Sequence, residues 1–461
     1  MTIFTPKRLR IIKTCNLYIS SIASGMSMAV AGPTLLDLQH VVHTDTKQIA
    51  LVYTGRSSGY LLGSIIGGVL FDMTARKQFL MTIFNFLIAV TMFAVPLSGS
   101  IEILTGWMVV NGASLGAVDT GLNVCILNLW GKDSGPYYQA LHFVYGVGGL
   151  ISPLIVAPFL GHYILEEQQK ALNTSVAFLN QSSAIFQENV YQNTSVPSGP
   201  SVHPVFYGYA IIASTAFVVT ILFLVVCIIA PLDSMGQKTG TQEIRELSKS
   251  FIFVVVLLNF LLLFVETGTE IGYAQMVATY AVKGPLRLTP AVGSYLTSTF
   301  WGTFTVSRFS TIFLSLKFSN LSLILFELLI ASVGALILHF LSGTQEWALW
   351  LASALLGFGI APLFPTAIAW IEQYITVTNK FVALFATGCA FGEMVIPYTI
   401  TTFIEEVPEV LSYVVTASCV LSALFIFGLY LLLRNKQNKY VEKEGMSNAA
   451  CDANMTGESA T

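Results

Sequence analysis

Apolar residues in this chain fall into long, nearly unbroken runs, not into the alternation of half-buried strands or the narrow stripe of a surface helix. Twelve such runs can be marked, over 11–36, 48–70, 79–97, 103–129, 138–162, 206–230, 251–280, 291–316, 318–341, 346–370, 381–403 and 411–433. A helix needs roughly 20 residues to cross about 30 Å of hydrocarbon, and these runs have that length. In lipid every backbone N–H and C=O must find a partner within the protein, which leaves helices or closed barrels. The period-two alternation of a barrel strand is absent. The pattern therefore predicts an all-α membrane protein with twelve transmembrane helices.

The polar intervals organise those runs. Residues 232–250, with Gln237-Lys-Thr-Gly-Thr-Gln-Glu243, separate six spans from six. This predicts an N-terminal bundle over 1–231, a linker over 232–250 and a C-terminal bundle over 251–434. Residues 435–461, rich in Lys, Glu, Asn and Ser, read as a disordered tail. A faint internal repeat supports two halves: Gly146, Gly149 and Pro153 in the fifth span resemble Gly388, Gly392 and Pro397 in the eleventh. The run after Arg8–Lys13 imitates a cleavable signal peptide, but its length favours a retained helix.

Composition agrees. Charged residues make up 10% of the chain, hydrophobic residues 54%, and the mean hydropathy is +0.72. A soluble domain of this length needs far more surface charge. The net charge of −3 says little, because the distribution carries the signal. With both termini cytoplasmic, 16 of the 22 Lys and Arg residues lie on inner segments. Lys47, Lys170, Lys283 and Arg287 fall outside, and Arg56 and Arg308 lie within spans. The same orientation places the longest loop, 163–205, outside, where its sequons at Asn173, Asn180 and Asn193 are expected to be glycosylated. Of the six cysteines, five lie in spans and one in the tail, so neither a disulfide framework nor a Cys/His metal site is expected.

Eight ionisable residues stand well inside spans: Arg56, Asp119, His142, Glu266, Glu270, Arg308, Glu327 and Glu393. Each charged one costs on the order of 2.5–3.5 kcal/mol at a helix centre, so it should face a cavity or a partner. Asp119 has Gly112, Gly116 and Gly121 around it and Asn123 one turn on. Oxygen ligands of that kind suit Na⁺; a desolvated Asp119 could instead carry a proton. Glu266 and Glu270, four apart, share a helical face and need a bridging cation or proton. His142 reads equally as a ligand for a substrate hydroxyl or as a helix–helix contact. Glu393 follows Gly388-xxx-Gly392, so packing competes with binding there. Trp301 could stack on a sugar ring, although packing is the commoner use of such an aromatic. Arg56 and Arg308 are candidate counter-ions. Glu327, in the ninth span, reads as structural or interfacial.

Between the second and third spans stands Gly68-xxx-Asp72-xxx-Arg76-Lys77. This hairpin resembles the loop signature of the major facilitator superfamily, with Met73 where a basic residue is usual and Ala75 where glycine is usual. Further stretches resemble the sodium-dependent glucose transporter branch, distantly similar to fucose permeases. They include Gly32-Pro-Thr-Leu-Leu-Asp37, Asp119-Thr-Gly-Leu-Asn123, His142-Phe-Val-Tyr-Gly146, Glu266-Thr-Gly-Thr-Glu270 and Gly392-Glu393-Met394-Val-Ile-Pro397. The Pro-Glu-Ser-Pro-Arg type run of facilitative hexose carriers is replaced by Ala230-Pro-Leu-Asp-Ser. The resemblance covers roughly residues 10–434. It implies that the first, fourth, seventh and tenth spans line a central cavity, and that Asp72, Arg76 and Lys77 form a gate against the eleventh. It further implies alternating access at the plasma membrane, with a hexose such as glucose as substrate, Na⁺ or H⁺ as coupling ion, no cofactor and no nucleic acid. Rival readings are another polyol, a small amide or an organic anion as cargo, or a non-transporting sensor on the same scaffold. No nucleophile–base arrangement or ATP-binding loop points to an enzyme.

Overall fold

The computed structural model describes residues 6–164, 202–229, 248–377 and 379–436. Among them every regular element is helical. The long helices are α1 (Pro6–Ala29), α3 (Thr46–Met73), α4 (Lys77–Ala94), α5 (Ile101–Trp130), α6 (Ser134–Val156), α7 (Val205–Ile229) and α8 (Lys249–Lys283). They continue with α9 (Pro290–Leu314), α10 (Asn320–Phe340), α11 (Glu346–Ile360), α12 (Leu363–Glu372), α13 (Asn379–Phe403) and α14 (Val410–Leu433). The short α2 (Leu35–Val41) follows α1. Several starts are set by side-chain caps: Asp45 accepts from the Gln48 N–H at 2.7 Å, and Ser319 from the Ser322 N–H at 3.2 Å.

Two runs expected to be continuous are broken. The first ends at Ala29 and turns through Pro33 before α2; the tenth is interrupted at Ala361 and Pro362 between α11 and α12. Proline lacks the N–H that would continue the ladder, which accounts for both breaks. Among the described residues, nine helices are long and apolar enough to cross a membrane by length and composition. The other three of the twelve expected crossings, α1, α3 and α9, match them in length but are more polar. Their polar residues are spent on contacts between helices. Ser20 donates to Asn85 and Ser21 to the Leu141 carbonyl, while Ser294 and Ser298 donate to the carbonyls of Pro153 and Leu150.

The helices pack in two groups, α1 with α3–α7 and α8 with α9–α14, that meet along α3 against α13 and α6 against α9. Small residues allow the closest approaches. A Cβ at Gly59 or Gly63 would run into the backbone of Val109 or Ala113, and one at Gly112 or Gly116 into the carbonyls of Arg56 or Tyr60. The two halves repeat this device: Gly148 abuts Ile22 where α6 meets α1, and Gly392 abuts Phe264 where α13 meets α8. The Asn16 amide donates to the Leu222 carbonyl, and Lys436 covers the Phe251 ring. The starts of α1 and α8 therefore share one end of the molecule, the terminal face, with the ends of α7 and α14. The opposite end is the distal face. The sequons at 173, 180 and 193, most of the 232–250 linker and nearly all of the tail lie outside the described residues.

Candidate functional site

Among the described residues the hydrogen bonds and ion pairs joining the two groups fall in the distal half, while towards the terminal face Phe143 of α6 meets Phe309 of α9 at 5.4 Å. At the rim, Glu405 accepts from both Lys283 and Thr46, and Lys47 pairs with Glu406 at 2.7 Å. Deeper, Ser57 donates to the Glu393 carbonyl at 3.2 Å and Ser58 to the Met394 sulfur at 3.4 Å. On the other side Ser294 and Ser298 reach α6, and the Gly32 backbone presses on Ala274 and Gln275. Trp301 belongs to this seal. It is 1% exposed, its ring lies against Gly149, and Tyr145 and Phe304 meet it edge-on at 6.3 and 5.1 Å. The structure thus places the candidate stacking ring in the packing between the two groups.

Below the seal, half-buried polar side chains converge on the space between the groups. Asp119 sits on α5 where Gly112 and Gly116 bring α3 close, and that approach delivers the Tyr60 hydroxyl, which donates to Asp119 Oδ2 at 3.0 Å. Asn123, one turn on, keeps its side-chain oxygen without a hydrogen-bond partner. The Thr120 hydroxyl is taken up within the packing, donating to the carbonyls of Gly116 and Ser64. His142 on α6 meets Tyr138 edge-on at 4.7 Å. Arg308 Nε donates to the Ala361 carbonyl at 3.2 Å and the guanidinium covers the Phe304 ring at 4.4 Å. From there it lies within electrostatic reach of Asp119, His142, Glu266 and Glu270. Glu393 interacts in the same way with Tyr60, Tyr145, Glu270 and Arg56. The cluster holds carboxylates, guanidinium groups, an imidazole and phenols, which suits a small polar solute and a cation.

Arg56 stands at the ceiling of this cluster. It is 3% exposed, with Nη2 donating to the Met28 carbonyl at 2.8 Å and Nη1 unpartnered. Among the described residues it makes no direct ion pair with a carboxylate, and the carboxylate within its electrostatic reach is Glu393. Glu266 and Glu270 remain within electrostatic reach of each other and of Arg308; Glu270 also reaches Glu393, and Glu266 keeps Oε1 unpartnered. At the terminal face Asp72 and Arg76 are exposed, and Asp72 makes no hydrogen bond or ion pair among the described residues. Lys77 is buried and donates to the Thr74 carbonyl at 3.3 Å. Among the described residues, no hydrogen bond or ion pair joins the hairpin to α13.

Sequence reasoning missed Tyr60, Tyr138 and Tyr145. Spacing offered a clue, since Tyr60 is four residues after Arg56 and Tyr138 four before His142.

The sequence pattern of the Major Facilitator Superfamily matches residues 17–397. Sodium-dependent glucose transporter 1 of Xenopus laevis is 31% identical over 417 residues, 90% of this chain and 81% of that protein. The Homo sapiens protein of that name is 31% identical over 394 residues, 85% and 74% of the two chains. Major facilitator superfamily domain-containing protein 4A of Homo sapiens is 26% identical over 461 residues, 89% of each. Among solved structures, the peptide transporter POT superposes with a TM-score of 0.68 at 12% identity, over 94% of this chain and 100% of that one. The nucleoside transporter NupG does so with a TM-score of 0.63 at 11% identity, over 93% and 100%.

Proposed function

This chain belongs to the major facilitator superfamily, and from that premise we propose that it takes up glucose or a related hexose together with Na⁺ by alternating access. It is a membrane transporter, not an enzyme. The observation that carries the alternating-access reading is the depth at which the two helix groups touch: hydrogen bonds and ion pairs near the distal face, an exposed Asp72–Arg76 hairpin at the terminal face. With the terminal face cytoplasmic, as the Lys and Arg asymmetry favours, this arrangement is an inward-open state of a plasma-membrane carrier.

Hexose as cargo draws on the names of the relatives and on the chemistry of the cluster. Tyr60, Tyr138, His142 and Asn123 offer neutral donors and acceptors for hydroxyls, and Asp119 and Glu270 offer carboxylates to a cation. In the cycle, Asp119 oriented by Tyr60 receives substrate or ion, and the α3–α13 and α6–α9 seams part distally as the hairpin docks terminally. Arg308 balances the carboxylates throughout. An organic anion is the second reading, favoured by the unpartnered Nη1 of Arg56.

The test is radiolabelled glucose uptake in proteoliposomes with an inward Na⁺ gradient, against choline at fixed pH, with Asp119→Asn alongside. Sodium-stimulated uptake lost in the variant supports the proposal. No uptake under either cation, with the protein inserted and intact, excludes glucose.

A further inference from the structure

Away from the central cluster, the second helix group holds polar side chains that packing leaves without partners. Glu327 on α10 is 2% exposed, and neither carboxylate oxygen makes a hydrogen bond. Asn259 on α8 is fully buried with both amide atoms unpartnered. Glu266, two turns along the same face of α8, keeps Oε1 unpartnered while Oε2 accepts from Thr267 at 3.3 Å. Their apolar neighbours, Leu262 and Leu263 of α8, Ile324 and Leu328 of α10, and Leu363 and Ala367 of α12, form one buried cluster. Glu266 and Glu327 lie within electrostatic reach of each other.

Local geometry aims Glu327. A Cβ at Gly359 would stand 2.5 Å from the Ala331 nitrogen and 2.7 Å from the Glu327 carbonyl oxygen, so that face of α10 lies on α11. Gly334 meets Leu355 and Leu356, which makes the two helices antiparallel. A helical side chain leans towards its own N-terminus. For Glu327 that direction runs from the level of Gly359 to the break at Ala361 and Pro362. Pro362 and Pro365 supply no N–H to the carbonyls of Phe358 and Ala361. Ser307 and Arg308 donate to these instead, at 2.6 and 3.2 Å, and a carbonyl keeps a second lone pair.

A buried carboxylate without a partner is costly. Arg308 lies within electrostatic reach of Glu266 but is shared with Asp119 and Glu270, so it leaves negative charge at Glu266 and Glu327 that a bound cation would offset. The unpartnered acceptors are carboxylate and amide oxygens, which favour a hard ion. We propose that Glu327, Glu266 and Asn259 form a Na⁺ site inside the second helix group, joined to the central cluster through Glu270. Interrupted helices are where transporters of several folds place their coupling ions. The choice of Na⁺ rests on the sodium-coupled reading above; the existence of the site is read by binding, without transport.

The experiment is thermal unfolding of the purified full chain in lipid nanodiscs, titrated with NaCl against choline chloride at constant ionic strength, at pH 8. The wild type should gain stability saturably with Na⁺. Glu327→Gln and Asn259→Ala should each raise the half-saturating concentration at least tenfold, while Gly106→Ala, with open space around its Cβ, keeps the wild-type response. Asn259→Ala carries the test if Glu327→Gln does not fold. The proposal is overturned if the wild type shows no Na⁺-specific gain or if both variants respond like the wild type. It also fails if lowering pH in choline stabilises the chain and Na⁺ does not. Stabilisation by Na⁺ without sodium-stimulated glucose uptake would refute the transport reading and leave the site standing.

Discussion

Replacing Glu405 with Gln should loosen the distal seal and shift the carrier towards its distally open state. Glu405 accepts from Lys283 of α8 and from Thr46 at the start of α3, so one carboxylate ties the two helix groups together. The Glu405 and Lys283 side chains are 39% and 29% exposed. Ion pairs that reach solvent contribute about 0.2–1 kcal/mol, and the added hydroxyl places this one near the top, at about 1 kcal/mol. That corresponds to roughly a fivefold change in a two-state population. A cysteine at Gln275, which is 5% exposed behind the seal against Gly32, reports the change. In a background without native cysteines, its labelling by an impermeant thiol reagent from the distal side should quicken about fivefold with Glu405→Gln. Burial pushes the Glu405 carboxyl up, but the bonds from Lys283 and Thr46 outweigh it and hold the group below the ordinary carboxylate range. A depressed group contributes fully above the ordinary value of about 4.3 and loses its contribution as pH falls through the depressed one. Labelling, normalised to an exposed distal cysteine, should therefore stay flat from pH 8 to 5 and rise only below about 4. Unchanged labelling in Glu405→Gln, or a rise already near pH 7, would refute the latch.

Tyr60→Phe removes the donor to Asp119 Oδ2; a hydrogen bond to a charged group is worth about 1.5–3 kcal/mol, so the half-saturating Na⁺ for uptake should rise roughly 10- to 100-fold at normal expression. Gly63→Val forces a side chain into the Ala113 backbone, and fluorescence size-exclusion profiles should show loss of monodisperse protein, where Gly106→Ala, with open space around its Cβ, should not. Trp301→Ala opens a cavity in the seam between the groups and should cost about 3–5 kcal/mol of thermal stability; a change confined to the KM for glucose would instead return Trp301 to the substrate.

Hydropathy alone marked where nearly every helix runs, because the requirement to satisfy backbone groups in lipid acts on each segment separately. Asp119, Glu270, Arg308 and Glu393 were legible as well, since a charge in an apolar run is conspicuous without knowing its neighbours. The breaks at Pro33 and Pro362 were harder to read, because proline is tolerated in such helices when neighbours satisfy the freed carbonyls, and those neighbours are remote in sequence. Only the tertiary structure showed that Gly112 and Gly116 bring Tyr60 to Asp119 and that the Trp301 ring packs at the seam between the two groups. The latch joins Thr46, Lys283 and Glu405 from three segments, and Glu327 became interesting only once burial left both its oxygens without partners. Helix formation in a membrane is a local property of the chain, whereas the partners of a polar side chain are set by which faces meet, and that is decided by packing across hundreds of residues.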